Sequence, residues 1–156
     1  MHSHLIVVTF EGQDEASNVY DALERMRASP LLGLQNAAIV SRDGSGRLAV
    51  IRRRRLSQVG EDPGTYLTGS AITLLFGDPP DEWLQMLVRE GFDDQYREQV
   101  VSEMAGDSSA LVFPVAGDSS VDRNRLLGVL TLFKGRVFET TLPLEVEAAL
   151  VKGWEA

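Results

Sequence analysis

The run Leu5-Ile6-Val7-Val8-Thr9-Phe10 constrains the fold more than any other stretch of the chain. It is apolar nearly throughout, rich in β-branched residues, and has no alternating polar side. Such a run suits a strand buried on both faces. Glu11-Gly12-Gln13-Asp14 breaks it, and Ala16, Val19, Tyr20, Leu23 and Met26 then recur at helical spacing. A weaker echo lies late in the chain. Leu111-Val112-Phe113-Pro114-Val115 is followed by Ala116-Gly117-Asp118-Ser119, and Leu126, Val129, Leu130 and Phe133 repeat the helical spacing. Two β–α units therefore frame the rest.

Between them the signals alternate. Asp14 and Glu15 suit the positive end of the first helix, and Ser29-Pro30 ends it. Asn36–Arg42 reads as a strand, Asp43-Gly44-Ser45-Gly46 as a tight turn in which Gly44 and Gly46 tolerate positive φ, and Arg47–Arg54 as the returning strand. A polar break over Gln58–Gly64 precedes an apolar piece, Thr65–Phe76, that Gly77-Asp78-Pro79-Pro80 stops. Trp83, Leu84, Leu87 and Val88 then line one helix that Gly91 closes. Tyr96, Val100, Val101 and Met104 line another, started by Asp93 or Asp94. After the echoed unit, with Ser119 at a helix cap and Gly135 past its end, Arg136–Leu142 reads as the last strand and Pro143–Val151 as a closing helix.

The 156 residues fit one domain, 1–156, carrying a helical insert at about 57–106. No cysteine is present, which excludes disulfides, thiolate metal sites and a cysteine nucleophile, and leans toward a reducing cytoplasm. The net charge of −8 disfavours nonspecific nucleic-acid binding. The charge is uneven: residues 1–56 hold 8 Lys and Arg against 6 Asp and Glu, or +2, and residues 57–156 hold 7 against 17, or −10.

Few residues invite chemistry. Arg52-Arg53-Arg54-Arg55 is the candidate ligand-binding cluster, suited to a phosphate, a carboxylate or an acidic partner. A strand would point neighbouring arginines to opposite faces, so a charged edge that discourages aggregation, or pairing with the acidic half of the chain, explains the run more simply. His2 and His4 alternate on a strand start without a third ligand, and solvent-exposed side chains without a function account for them. Asp81-Glu82 and Asp93-Asp94 sit at helix starts, where the dipole explains them better than acid–base catalysis does. Trp83 and Tyr96 could stack on a ligand, but at helical spacing they read as core. Gly44-Ser45-Gly46 lacks the Walker spacing, one glycine after Phe10 makes no dinucleotide fingerprint, and no Gly-x-Ser-x-Gly elbow is present. No catalytic residue, metal site or cofactor is expected.

His4–Phe10 with the helix after it, Asn36–Gly44, Asp107–Phe113 and Gly135–Thr140 together resemble a bacterial family named only as domain of unknown function 1269. The likeness covers most of residues 5–56 and 106–149. It implies a ferredoxin-like α+β core and no agreed reaction. Many relatives carry a long glycine-rich apolar hairpin in the middle and are labelled membrane-associated. In this chain only Tyr66–Phe76 keeps that character, and charged helices follow. Those 11 residues span about 17 Å as a helix, against a hydrocarbon core of about 30 Å. The segment is expected to pack inside the protein or its oligomer, with no stable membrane insertion.

The expected fold is an α+β, ferredoxin-like two-layer sandwich: β-α-β-β, a helical insert, then β-α-β, with helices on one face of a mainly antiparallel sheet. The leading functional reading is a noncatalytic, self-associating interaction or regulatory module of the cytoplasm, because the insert offers more apolar helical faces than one small sheet needs. The alternatives are a small-ligand or anion-binding domain using Arg52–Arg55, and an enzyme whose site forms across a dimer.

Overall fold

Leu5–Phe10 is apolar on both sides because it belongs to an inner strand covered on both faces. The computed structural model describes residues 3–25, 38–52, 63–77, 79–104, 106–116, 128 and 133–152. Its strands are β1 (Ser3–Glu11), β2 (Ala38–Arg42), β3 (Leu48–Arg52), β4 (Ser108–Ala116) and β5 (Arg136–Leu142). Its helices are α1 (Glu15–Arg25), α2 (Pro63–Phe76), α3 (Asp81–Arg89), α4 (Asp94–Glu103) and α5 (Leu144–Lys152). The strands form one sheet in the order β3-β2-β4-β1-β5, and every pairing is antiparallel. β1 and β2 both run opposite to β4 and so are parallel to each other, which is why a helix rather than a hairpin joins them.

The side chains of β1 alternate between two cores. Leu5 and Val7 join Ala38, Val40, Ala110 and Val112 on one face, covered by Leu74 and Leu75 of α2, Trp83 and Leu87 of α3, Tyr96 and Val100 of α4, and Val146 and Leu150 of α5. Ile6, Val8 and Phe10 join Ile39, Leu111 and Phe113 on the other, where Ala16, Val19 and Tyr20 of α1 lie. The mixed α+β class, an antiparallel sheet with helices packed on it, is the one expected. The helices do not all share one face, however: α1 takes the side opposite the insert and α5, because the even-numbered residues of β1 are as apolar as the odd ones and need their own cover. The late helix expected after Ser119 falls largely outside the described residues.

The insert is three helices, and each boundary has a local cause. The Asp93 carboxylate accepts from the N–H groups of Gln95 (3.0 Å) and Tyr96 (3.3 Å), capping α4. Gly91, at φ 115°, turns the chain after α3. Pro80 is the residue that precedes the first turn of α3. The Arg97 Nε donates to the Leu74 carbonyl at 2.7 Å, tying α4 to the last turns of α2. In α2, Ala71, Ile72, Leu74 and Leu75 are all buried, so this part of the expected Tyr66–Phe76 segment packs inside the single chain. No helix among the described residues is long and apolar enough to cross a membrane.

Tyr96 fixes the sheet's hydrogen-bond phase. Its hydroxyl lies 3.1 Å from the Leu5 carbonyl oxygen and 3.2 Å from that of Phe138, and it donates its proton to this pair. One hydroxyl reaches both carbonyls because both point into the gap between β1 and β5. By alternation, Leu5, Val7 and Thr9 then turn their backbone groups to β5, and Ile6, Val8 and Phe10 turn theirs to β4. Carried across the register, this aims the backbone nitrogen of Pro114 toward β2, beyond Ala38, where the described pairing of β2 with β4 ends. Among the described residues, a proline is thus accommodated in an inner strand at no loss of a ladder bond. The same phase leaves Val137, Glu139 and Thr141 facing outward along the β5 edge, and Leu48, Val50 and Arg52 along the β3 edge.

Ser109, fully buried, holds α1 to β4. Its Oγ accepts from the Ala16 N–H at 2.9 Å and donates to the Gly12 carbonyl at 2.8 Å. One of the unpaired amides in the first turn of α1 is therefore satisfied from across the sheet rather than by a neighbour in sequence. Ser109→Ala leaves both groups unpaired in a buried place and is expected to cost about 1–3 kcal/mol in urea unfolding.

Burial, and then the negative charge of Glu139, push the Tyr96 hydroxyl far above the usual tyrosine value of 10.0. The fold favours the neutral form, so the stability tied to it is intact below pH 10 and falls as the pH rises further. In an alkaline absorbance titration, one of the 3 tyrosines is expected to ionise only as the protein unfolds, and Tyr96→Phe to abolish that delayed step.

Candidate functional site

Antiparallel pairing brings the end of β1 beside the starts of β4 and β5, so three turns far apart in sequence meet at one end of the sheet. The first is Glu11–Asp14, where Gly12 adopts φ 92°. The second is Gly106-Asp107, with Asp107 at φ 47°. The third is Phe133-Lys134-Gly135, with Lys134 at φ 63°. Main-chain hydrogen bonds chain the first two to the β2–β3 turn: the Gly12 N–H donates to the Asp107 carbonyl (2.8 Å), and the Asp107 N–H to the Asp43 carbonyl (3.1 Å). Asp43 is itself braced, its carboxylate accepting from the hydroxyl and N–H of Ser45 and the N–H of Arg47. These bonds, that from the Ser45 hydroxyl foremost, hold its carboxyl below the usual carboxylate range.

The three turns enclose a cavity of about 500 Å³. Thr9, Phe10 and Glu11 contribute from β1, Glu15 from α1, Glu103 from α4, Gly106, Asp107 and Ser108 from the turn into β4, and Phe133, Lys134 and Arg136 from the approach to β5. The lining is chemically mixed: four carboxylates, two cations, two aromatic rings and two hydroxyls. Phe133 packs against the α1-side core, so its position is set by the fold. Gly135 is pressed against the same core: a Cβ there would lie 2.5 Å from Val8 Cγ1 and 2.7 Å from Phe10 Cε1. The turn that carries Lys134 therefore needs glycine beside it.

Two of the charges are matched. Arg136 Nη1 lies 2.6 Å from Glu103 Oε1, joining β5 to the end of α4, and its guanidinium carbon stands 5.9 Å from the centre of the Phe138 ring. Thr9 has no such partner. It is 4% exposed, yet its hydroxyl makes no hydrogen bond to a described residue, nor is it among the side-chain atoms sealed away from solvent without one. It opens onto the space it lines. Ser108 is better served, its hydroxyl lying 3.6 Å from Met104 Sδ.

Of the arginine cluster, the structure describes Arg52, which is not among the residues that line this cavity. Arg52 ends β3 on the sheet edge, paired with Ala38, which is where a charged edge strand would carry it. Arg53, Arg54 and Arg55 fall outside the described residues, as does His2. His4 sits on β1 across from Thr141, its Nδ1 3.4 Å from the threonine hydroxyl on an exposed surface. Among the described residues, no group of three histidine, aspartate or glutamate side chains is placed to hold a metal ion. Asp93 spends its carboxylate on the cap of α4, and Trp83 and Tyr96 are core, as their spacing implies. Of the β2–β3 turn glycines, Gly46 takes positive φ and Gly44 does not.

The cavity residues escaped a reading by motif because no two of its three turns are close in sequence. A topological signal was present. Glu11-Gly12, Gly106-Asp107 and Lys134-Gly135 each pair a charged residue with a turn-forming glycine, and each adjoins a strand that joins β1 or is β1 itself. Compared with known proteins, the chain matches no protein-family model, no curated protein and no solved structure.

Proposed function

We propose that this chain is a noncatalytic module that binds a small polar molecule in the cavity at the end of β1. The observation that carries the reading is Thr9: a nearly buried hydroxyl without a hydrogen-bond partner among the described residues, opening onto a space of about 500 Å³ ringed by charged and aromatic groups. Buried polar groups are ordinarily satisfied, and convergent polar groups in a concave site are what a small ligand requires. The reading moves the binding site away from Arg52–Arg55. It also demotes self-association, because the apolar faces of the insert, once counted as surplus, are spent in the core of one chain. Among the described residues, Val88, Val101 and Leu144 are the large apolar side chains left exposed.

An interaction module that pairs through its sheet edges is the second reading. The outward backbone groups of β3 and β5, without a strand partner among the described residues, favour it, since a sheet edge is a template for another strand. The order β5-β1-β4-β2 supports a ferredoxin-like core, with a helix crossing between parallel β1 and β2 and β3 added at the edge. The bacterial family resemblance and a cytoplasmic setting remain part of the proposal, the latter supported by the cysteine-free composition.

Amide NMR spectra recorded against a panel of small carboxylates, amines, amino acids and sugars test the reading. Binders are expected to shift Glu11, Gly12, Asp107 and Lys134, and to lose their effect in Gly106→Trp. A Cβ at Gly106 would meet the Asp43 carbonyl oxygen at 3.7 Å, an ordinary contact, so the bulk can be added without breaking the turn. A panel that shifts only edge residues of β3 or β5, or nothing, contradicts the reading. Light scattering over a dilution series tests the second one, which a monomer at every concentration rules out.

A further inference from the structure

Resting on the small-ligand reading, we propose that the cavity selects a small organic cation, an aliphatic amine or diamine, over anions and over metal ions. The charge of the lining points that way. Glu103 is matched by Arg136 at 2.6 Å, which among the described lining residues leaves Glu11, Glu15 and Asp107 against Lys134. The whole chain carries −8, so its field draws cations toward an open negative site.

The arrangement separates an amine from a metal ion. The unmatched carboxylates come from three elements: the end of β1, the first turn of α1 and the turn into β4. No three acidic or histidine side chains among the described residues converge on a point where one metal ion could sit. A cation that meets carboxylates on separate walls needs length, as a diamine has, or a charged head on an apolar stem. Phe133, half-buried at the approach to β5, provides ring surface for that stem, and a ring face also attracts an ammonium.

Thr9 supplies the observation independent of charge. Its hydroxyl is nearly buried, unpaired among the described residues and open to the cavity, and it can accept a hydrogen bond from an ammonium N–H. A carboxylate or phosphate could accept the same hydroxyl's proton. The net charge of the walls decides between the two, since an anion there would face three unmatched carboxylates.

Titration calorimetry at low and at physiological salt tests the proposal, with 1,4-diaminobutane and 1,5-diaminopentane as probes and magnesium, inorganic phosphate and glutarate as controls. The diamines are expected to bind one per chain and to weaken with salt. Glu11→Gln combined with Asp107→Asn is expected to reduce affinity about tenfold or more; asparagine tolerates the positive φ of Asp107, so the turn survives. Thr9→Val, which keeps the branched shape and removes the hydroxyl, is expected to reduce it about fivefold while urea unfolding stays near the parent's. Diamine binding unchanged in both variants, or magnesium binding as tightly as the diamines, overturns the inference. Phosphate or glutarate shifting the cavity amides while diamines do not also overturns it, and leaves the small-ligand reading standing. Cavity amides that respond to no probe in the wider panel sink both.

Discussion

Everything in this structure depends on one strand having no free side. β1 is paired along both edges and covered on both faces, so Leu5, Ile6, Val7 and Val8 are each completely buried. Packing alternates apolar side chains into two cores, and neither core is complete without it. The helices are assigned to faces by this alternation. α1 follows the even residues, while the insert and α5 follow the odd ones. Two polar devices then fix what packing alone leaves loose. Tyr96 pins the β1–β5 gap from above, and Ser109 ties the first turn of α1 to β4. Each uses one hydroxyl to join segments more than 40 residues apart in sequence.

The candidate site is a consequence of the same arrangement. An inner strand with antiparallel neighbours on both sides must end beside the beginnings of those neighbours. Turns leading into β4 and β5 therefore gather around Glu11 and Gly12, and their charged residues gather with them. The core requires the turns to be tight, as the packing of Gly135 on Val8 and Phe10 makes plain. Among the described residues at the rim, Arg136 pairs with Glu103, the Ser108 hydroxyl meets Met104 Sδ, and the Asp107 main chain is tied to Gly12 and Asp43. Thr9 is the point where the two demands meet: it lies on the buried strand, yet it faces the cavity with its hydroxyl unpaired among the described residues.

Much of the fold was legible because local signals agreed with it. The unbroken apolar run of β1, the Asp43–Gly46 turn, the Asp93 cap, Gly91 and the limits of β5 all follow from short-range physics. Long-range choices were not legible. Nothing within Ala16–Tyr20 says that α1 lies opposite the insert, because periodicity gives a helix its apolar side but not its partner. The apolar faces of α2, α3 and α4 looked like surplus for the same reason, since the sheet they cover is assembled from four distant segments. The site was hidden because it has no motif. Its residues come from six stretches of chain, whereas Arg52–Arg55, conspicuous as a run, reaches the described structure only as the end of an edge strand.

Amide hydrogen exchange under native conditions tests the dependence on β1 most directly. The account predicts that Leu5–Thr9 exchange slowest of all the strand amides and only through global unfolding, while the outward amides of Val137, Glu139 and Thr141 and those of Leu48 and Val50 exchange far faster. Amides of β1 that open as readily as those of the β3 and β5 edges, with the rest of the sheet still protected, would contradict it.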